Sequence, residues 1–416
     1  MPYKESNNSK QTCSFCQRSR KDVAKLVVSQ DVSICNICVE MVHDLLHKDL
    51  DDTEVKSKKA SLKIPSPTDL KELLDERVIG QEQAKIALSV AVHNHYKRLQ
   101  KKNSVQIDKS NVLILGGTGT GKTLMAKTIA ELLDVPFVIG DATTLTQTGY
   151  VGDDAESLIS RLVQAADGDI ERAEHGIIFL DEIDKIASKV ESNHSGRDIG
   201  GEGVQQALLK MLEGSVVQVN LDSTRKMLGI DQADIDTTNI LFICSGAFVG
   251  LEKVMQKNKA STIGFNGKVD KTPGSFATAR PQDIVKYGII PELMGRLPVL
   301  TFTNPLTKED LLRVLTEPSN SLLNQYQYLF DPVKLLFSDD ALETLAEQAL
   351  KDGTGARGLR GQLDKILTPL QYKLCEQTET VTSILVNNAV VTGTGDPLYT
   401  FKKPTTRAKR APKLSE

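Results

Sequence analysis

The sequence predicts an α/β protein with a parallel five-stranded sheet, a small metal-binding segment before it and a helical region after it. Five short apolar runs alternate with helical periodicity, as expected of strands that are buried on both faces. A glycine-rich motif that is typical of phosphate binding lies between the first run and the helix after it. Four of the six cysteines lie at or before residue 38, in two C-x-x-C pairs.

Composition excludes several classes of protein. The 416 residues suggest two to three domains at about 150 residues each. No apolar run approaches the roughly 18 residues that a membrane-spanning helix needs, so we expect no membrane contact. The formal net charge of −3 argues against a protein that mainly coats nucleic acid. The N-terminus has no apolar signal segment, which favours a reducing, cytoplasmic location.

The sheet and its helices follow from hydrophobic periodicity. The predicted strands are 112–115, 136–139, 177–180, 240–244 and 299–302. The predicted helices of this region are 82–101, 122–133 and 155–166. Beyond residue 305 helical patterning dominates, with a helix that starts after Ser338 and stops at Gly353. A further strand is expected within 382–391.

Shifts in composition divide the chain into five segments. A polar stretch punctuated by proline predicts a flexible linker, and a basic, proline-containing C-terminus predicts a disordered tail. The segments are a zinc-binding domain at 11–50, a linker at 51–67, a large α/β domain at 68–305, a small α-rich lid at 306–400 and a tail at 401–416.

The glycine-rich motif predicts a nucleotide phosphate site. Its residues are Gly116, Gly117, Thr118, Gly119, Thr120, Gly121, Lys122 and Thr123, and Leu124 follows them in the same segment. The glycines let several backbone N–H groups point inward, and the helix N-terminus adds positive partial charge. Lys122 can reach the β- and γ-phosphates of ATP, and the Thr123 hydroxyl can ligate Mg²⁺. The flanking strand and helix favour this function over a chance match.

Two adjacent carboxylates complement the phosphate site. Asp181 and Glu182 directly follow the apolar run 177–180, and carboxylates at the end of a buried strand need a reason because buried charge is costly. Mg²⁺ supplies one: Asp181 would hold the metal, and Glu182 would orient and polarise the attacking water. The pair therefore predicts nucleotide hydrolysis and not binding alone.

Two arginines are candidates for stabilising the charge that develops on the γ-phosphate. Arg296 precedes the last predicted strand, and Arg357 lies at the start of a helix in the lid. The residues by themselves leave two roles open for each arginine: stabilising the γ-phosphate charge, or lying on the surface or at a helix cap. Surface and helix-capping arginines have the same local sequence pattern.

The cysteine pairs predict a structural zinc site. Cys13 and Cys16 form one C-x-x-C turn, and Cys35 and Cys38 form the other. Four thiolates satisfy tetrahedral Zn²⁺ and leave no position open for catalysis. A segment of about 40 residues cannot bury enough apolar surface to fold alone, so metal binding would supply its folding free energy.

Taken together, these motifs resemble the ClpX family of AAA+ protein unfoldases over about residues 11–395. The fold that this resemblance implies is an AAA+ P-loop NTPase with a lid and a zinc-binding domain. The four-cysteine head distinguishes it from the related HslU family. The other motifs that carry the resemblance are 78–81, the phosphate loop, 150–152, 181–185, 201–210, 295–298 and 353–360.

The resemblance implies a homo-hexameric ring that hydrolyses ATP between subunits and pulls protein substrates, some presented by adaptors, through a central pore. Val78 and Ile79 match a segment that packs on the adenine. Arg296 matches an arginine finger that acts on the neighbouring subunit's nucleotide, and Arg357 matches the sensor arginine of the lid. Gly117 stands where the family usually has proline, which should loosen the turn without removing a phosphate ligand.

Three further segments match parts of the family that contact other proteins. Tyr150, Val151 and Gly152 match the loop that grips substrate; Arg225 and Lys226 match a second pore loop, in which Met227 replaces the usual histidine. Ile263, Gly264 and Phe265 match the tripeptide that docks into a ClpP-type peptidase. Exposed apolar side chains on a loop are unfavourable unless a partner covers them.

Two other functions compete with that of a peptidase-coupled unfoldase. The zinc head and the basic tail would suit an ATPase that acts on nucleic acid, although the head lacks a basic, aromatic-interleaved surface. A remodelling chaperone that works without a peptidase is the other alternative. The intact Lys122, Thr123, Asp181 and Glu182 argue against a non-enzymatic adaptor.

Overall fold

The structure is a computed structural model that describes residues 12–29, 32–42, 64–100, 107–146, 153–187, 201–220, 232–262, 276–377 and 381–402. The strands are, in chain order, β1 (Leu26–Ser29), β2 (Val32–Cys35), β3 (Val112–Leu115), β4 (Phe137–Asp141), β5 (Leu145–Thr146), β6 (Asp153–Asp154), β7 (Ile177–Asp181), β8 (Val216–Asn220), β9 (Gln232–Asp236), β10 (Leu241–Gly246), β11 (Val299–Phe302), β12 (Lys334–Phe337), β13 (Val381–Val386) and β14 (Leu398–Phe401).

The helices of the described residues are α1 (36–42), α2 (Pro67–Asp75), α3 (Glu82–Gln100), α4 (Lys122–Leu133), α5 (Ala155–Ala165), α6 (Ile170–Glu174), α7 (Gly201–Glu213), α8 (Leu251–Thr262), α9 (Pro281–Tyr287), α10 (Pro291–Gly295), α11 (Lys308–Thr316), α12 (Leu322–Phe330), α13 (Asp339–Lys351), α14 (Ala356–Gln377) and α15 (Asn388–Val391). Among these, none is both long and apolar enough to cross a bilayer. The chain divides into two compact units, one of which holds the described residues before 43, and each unit is described by itself.

The N-terminal unit is a small hairpin with a helix after it. Strands β1 and β2 pair antiparallel, with Leu26 opposite Cys35. Its buried centre consists of Cys13, Cys35 and Cys38, against which a few partly buried apolar side chains pack. A centre made of thiols and so few apolar groups is too small to hold a fold without a metal.

The second unit is built on a parallel sheet whose strand order is β11-β3-β10-β7-β4. These are the five strands that the apolar runs predict, with small differences at their ends. Strands β4 and β10 each begin one residue later and end two residues later than predicted, and β7 ends one residue later. Strands β3 and β10 are buried along their whole length, which is why β3 is apolar at every position and β10 over its first four residues. The carboxyl ends of β3, β10 and β7 lie side by side, so the turns after them meet at one edge of the sheet.

Helices α2, α3 and α4 pack their apolar faces on this sheet. The core that they form includes Leu70, Leu88, Met125 and Ile129, all fully buried. Helix α2 begins in a capping box, in which the Ser66 hydroxyl accepts the Asp69 N–H at 3.2 Å and the Asp69 carboxylate accepts the Ser66 N–H at 3.1 Å.

The packed region begins earlier than the predicted linker allows. Ile64 packs against the core of the α/β region, and His93 Nδ1 lies 2.9 Å from the Pro65 carbonyl oxygen. Residues 64–67, which the composition assigns to the linker, are therefore attached to the sheet region by packing and by the Ser66 cap. A short polar segment can be ordered by contacts with residues far away in the sequence, which its composition does not show.

Beyond residue 305 the chain forms a helical layer on a small sheet. Helices α11, α12, α13 and α14 pack around a core that includes Leu315, Leu345, Leu363 and Ile384, and the sheet order is β12-β13-β14. Helix α13 starts after Ser338, and Gly353 follows its end with a φ of +64°, so both predicted helix signals are confirmed.

The predicted strand at 382–391 is wrong in its second half. Strand β13 ends at Val386, and Asn387 then caps helix α15 by accepting the Val390 N–H at 3.2 Å. The tail predicted from residue 401 also begins one residue too early, since Phe401 is the last residue of β14.

Candidate active site and metal centre

The phosphate loop is shaped by its glycines. Gly119 and Gly121 have φ values of +76° and +97°, and helix α4 starts directly after Gly121. A Cβ on Gly116 would overlap the Thr303 side chain. Only glycine tolerates such a close approach and a left-handed backbone without strain. With glycines at these positions, the loop curls tightly enough for its N–H groups to face a phosphate.

Lys122 lies inside this loop. Its side chain is buried, and Nζ donates to the carbonyl oxygens of Gly116 at 2.7 Å and Gly117 at 2.8 Å. Burial lowers the pKa of this ammonium, while the nearby Asp181 carboxylate opposes the shift and the Arg357 guanidinium adds to it. An added phosphate would relieve this unfavourable crowding of positive charge.

A cavity of about 530 Å³ opens beside the loop. The predicted residues Thr118, Gly119, Gly121, Lys122, Thr123, Leu124, Asp181, Glu182 and Arg357 all line it. Hydroxyl, ammonium, carboxylate and guanidinium groups thus face one space, as a bound Mg²⁺–ATP requires. The residues fit the cofactors that the sequence predicts.

The carboxylates stand where β7 ends. Glu182 has a φ of +58° as the chain turns into a 3₁₀ segment at Ile183–Ile186, and its N–H donates to Asp181 Oδ1 at 3.0 Å. The buried Ser245 hydroxyl of β10 also donates to Asp181 Oδ1. Two donors hold this carboxylate in one orientation, which suits a ligand of Mg²⁺ or of its water shell.

Asp184 is a site residue that the sequence prediction missed. Its carboxylate is buried and accepts the N–H groups of Ala247 and Phe248, each at 3.2 Å, and Phe248 has a φ of +47°. The contact fixes the turn after β10 against residues 181–186, the acidic loop, which holds Asp181, Glu182 and the 3₁₀ segment after them. Its position in the motif 181–185 was visible, but its partners are more than 60 residues away.

The lid closes the cavity from the other side. The Ala356 N–H donates to the Gly119 carbonyl oxygen at 3.2 Å, and Arg357 follows at the start of α14. Arg360, which the sequence prediction also missed, lines the same cavity. It lies three residues after Arg357, so the two side chains share one helix face, and this spacing is the signal that could have found it.

Val78 and Ile79 border a neighbouring cavity of about 410 Å³, which the lid residues Arg313 and Glu317 also line. Both side chains are buried, and a Cβ on Gly121 would lie 3.4 Å from Val78 Cγ1. The Gln81 amide holds this segment by donating to the Asn304 carbonyl oxygen at 2.9 Å and accepting its N–H at 2.7 Å. An apolar wall next to the phosphate loop suits an adenine ring.

Arg296 lies outside the lining of both cavities. It caps the C-terminus of α10, and its guanidinium donates to Glu213 Oε1 at 3.0 and 2.8 Å while about half of the side chain stays exposed. Within one chain it is therefore not brought to the nucleotide. The predicted pore residues Tyr150, Val151, Gly152, Arg225 and Lys226 and the predicted docking residues Ile263, Gly264 and Phe265 lie outside the described residues.

The four predicted zinc ligands come together in the N-terminal unit. The sulfur atoms of Cys13, Cys16, Cys35 and Cys38 all lie within 4.8 Å of one another. The Cys35 N–H donates to Cys13 Sγ at 3.3 Å, and the Cys38 N–H donates to Cys35 Sγ at 3.4 Å. Burial raises the pKa of the Cys13 thiol. The hydrogen bonds that backbone N–H groups donate to its sulfur have the larger, opposite effect and lower that pKa to about 6. Four converging sulfurs with such donors fit tetrahedral Zn²⁺.

Three family models match successive parts of the chain. A ClpX C4-type zinc finger matches residues 11–48, an AAA domain of the Cdc48 subfamily matches 107–300, and the C-terminal, D2-small domain of ClpB protein matches 306–384. They agree with the site on the cofactors: the cysteines hold Zn²⁺, and the AAA domain binds ATP with Mg²⁺ and hydrolyses it.

Curated relatives match along nearly the whole chain. The ATP-dependent Clp protease ATP-binding subunit ClpX of Treponema denticola is 48% identical over 373 residues, which cover 87% of this chain and 89% of the relative. The subunit of the same name from Borrelia duttonii is 44% identical over 397 residues, 93% of this chain and 92% of the relative. ClpX 2 of Wolinella succinogenes is 44% identical over 391 residues, 93% of this chain and 96% of the relative. The chain belongs to the ClpX family of AAA+ ATPases.

Proposed function

We propose that this chain assembles into a homo-hexameric ring, unfolds proteins with the energy of ATP hydrolysis and passes them through its pore into a ClpP-type peptidase. The observation that carries the proposal is a hydrolysis site made from two regions, with Lys122, Asp181 and Glu182 from the α/β region and Arg357 from the lid. Because the lid contacts the phosphate loop directly, a change of nucleotide changes the relation between the two regions, and such motion is what a translocating machine needs.

Within the site, each group has a defined task. Lys122 and the loop N–H groups hold the phosphates, and Thr123 with Asp181 would hold Mg²⁺, which neutralises charge on the phosphate oxygens. Glu182 orients the attacking water and accepts its proton. The guanidinium of Arg357 faces the developing negative charge, and Val78 with Ile79 packs against the adenine.

The placement of Arg296 supports action on a neighbouring subunit. Its side chain is half exposed and held by Glu213, away from the cavity of its own chain. A residue in that position can complete a site only across an interface. The roles of Tyr150, Val151, Gly152, Arg225 and Lys226 in gripping substrate, and of Ile263, Gly264 and Phe265 in docking, follow from the family resemblance.

The relatives named above are subunits of a Clp protease, and this supports the peptidase as a partner. Recruitment of substrates by adaptors and a cytoplasmic location stay predictions from the sequence.

An assay of ATP-dependent unfolding, run with and without a ClpP-type peptidase, tests the proposal. We expect loss of fluorescence from a tagged folded protein only with ATP, and degradation only when the peptidase is added. Glu182→Gln should bind ATP but abolish unfolding. Tyr150→Ala should keep hydrolysis and lose unfolding, and Phe265→Ala should keep unfolding and lose degradation. Stimulation of the ATPase by DNA, with none by an unfolded protein, would instead support the nucleic-acid alternative.

A further inference from the structure

A single buried side chain connects the acidic loop of the active site to the segment that carries Arg296. Gln205 of α7 is fully buried, and its Nε2 donates to the Ile186 carbonyl oxygen at 2.8 Å and to that of Gly288 at 3.2 Å. Its Oε1 accepts the Ile290 N–H at 2.8 Å. Both N–H groups and the carbonyl oxygen of this amide are thus used.

The partners of Gln205 stand at functionally distinct places. Ile186 ends the 3₁₀ segment that directly follows Glu182. Gly288 caps the C-terminus of α9, and Ile290 caps the N-terminus of α10. Helix α10 has only five residues, and Arg296 caps its other end. The backbone that Gln205 holds therefore determines where the backbone of Arg296 lies.

Helix α7 makes a second contact with the segment that carries Arg296. Glu213, the last residue of α7, accepts both hydrogen bonds of the Arg296 guanidinium. Gln205 and Glu213 are eight residues apart, about 12 Å along a helix. One helix therefore positions the backbone before α10 through Gln205, near its middle, and the arginine after α10 through Glu213, at its C-terminal end.

We propose that Gln205 is a positioning residue that makes the placement of Arg296 depend on the acidic loop of its own subunit. The inference rests on the proposed function, in which Arg296 acts on the nucleotide of the next subunit. If the acidic loop moved without the 288–290 segment, a buried amide group would lose its partner, which is unfavourable. The two segments therefore move together, and the state of one active site reaches the next.

Steady-state hydrolysis by the full-length protein gives the first test. Gln205→Met removes the three hydrogen bonds and keeps the length of the side chain. We expect kcat to fall at least about ten-fold while KM for ATP stays within about two-fold, because the residues that hold the nucleotide are untouched. The matched control is Gln206→Met, an exposed neighbour on the same helix, which should match the wild type. Hydrolysis by a folded Gln205→Met protein within two-fold of the wild type would overturn the inference.

Mixed assemblies separate the role of Gln205 in its own site from its role toward Arg296. A Glu182→Gln subunit has an inert site but a correctly placed Arg296. In mixed rings, a Gln205→Met subunit should regain hydrolysis at its own site when the neighbour that supplies Arg296 is a Glu182→Gln subunit. An Arg296→Ala subunit should regain hydrolysis in the same way. If mixing restores hydrolysis to Arg296→Ala but not to Gln205→Met, Gln205 acts on its own site. The proposed link from Gln205 to Arg296 is then wrong, while the proposed function stands. If neither is restored, the proposed role of Arg296 fails and the inference falls with it.

Thermal unfolding shows whether Gln205→Met folds. If it does not, Gln205→Glu replaces it in the tests. It keeps the shape of the side chain and the acceptor for the Ile290 N–H, but it loses at least one donor. The same mixtures and the same criteria apply to it.

Discussion

At the scale of single residues, Lys109 shows how burial changes the charge of one side chain. Its Nζ donates to the Thr237 carbonyl oxygen at 2.9 Å and lies 4.7 Å from the centre of the Phe242 ring. Burial and the nearby Arg98 guanidinium lower the pKa of this amine to about 7, against the opposing influence of Asp236. A lysine with such a pKa makes stability depend on pH near neutrality.

The sign of that dependence follows from proton binding. Between pH 7 and 10.5, the ordinary pKa of a lysine, the unfolded chain keeps the Lys109 proton while the folded chain loses it. The free energy of unfolding therefore rises with pH through this window, by at most ~1.4 kcal/mol per pH unit. Lys109→Met keeps the apolar stem on Phe242 but does not titrate, so the wild type should gain stability relative to this variant between pH 7 and pH 9.

Urea unfolding of both proteins at the two pH values measures the difference. Lys97→Met, a change at an exposed position of α3, is the control and should show the pH dependence of the wild type. A difference between the wild type and Lys109→Met that does not vary with pH would contradict the assignment.

At the scale of elements, the phosphate loop and the lid loop before α14 touch through glycines. A Cβ on Gly119 would overlap the Thr354 carbonyl oxygen, and a Cβ on Gly355 would lie 3.1 Å from the Gly119 carbonyl oxygen. Both residues have positive φ values, +76° and +57°. The nucleotide site thus depends on two backbones that approach more closely than side chains allow.

Two alanine substitutions in one loop test this contact. Gly119→Ala introduces left-handed strain and a clash with the lid backbone, and we expect it to weaken ATP binding at least about ten-fold, or ~1.4 kcal/mol. Gly117→Ala is the matched control, because the nearest atom to its Cβ would be Thr120 Cγ2 at 3.9 Å. It should bind ATP within about two-fold of the wild type. Titration with a fluorescent ATP analogue measures both, and equal affinities would refute the role of the contact.

The sequence predicted those elements that local patterns determine. The five strands and the start of α4 follow from apolar runs and a glycine loop, whose meaning does not depend on distant residues. The errors lie where distant contacts decide: residues 64–67 are ordered by the core, and Asn387 turns the end of a predicted strand into a helix cap. Asp184 and Gln205 were missed for the same reason, because all of their partners except Ile186 are 63 to 85 residues away.

At the scale of the whole molecule, the two units are stabilised in different ways. The unit that holds the sheet has an extensive aliphatic core around β3, β7 and β10. The N-terminal unit has three buried cysteines at its centre and exposes apolar side chains such as Phe15, which is 63% exposed. The first can fold by burying apolar surface, whereas the second depends on its metal.

Removal of zinc should therefore unfold one unit and leave the other intact. We expect a zinc-selective chelator, with Mg²⁺ in excess, to abolish hydrogen-exchange protection in β1 and β2 while β3 and β10 keep theirs. The sulfurs of Cys13, Cys16, Cys35 and Cys38 should become reactive to a thiol reagent, whereas Cys244, fully buried in β10, should not. Added Zn²⁺ should reverse the change. Protection of β1 and β2 that survives complete loss of zinc would show that the hairpin is held by something other than its four thiolates.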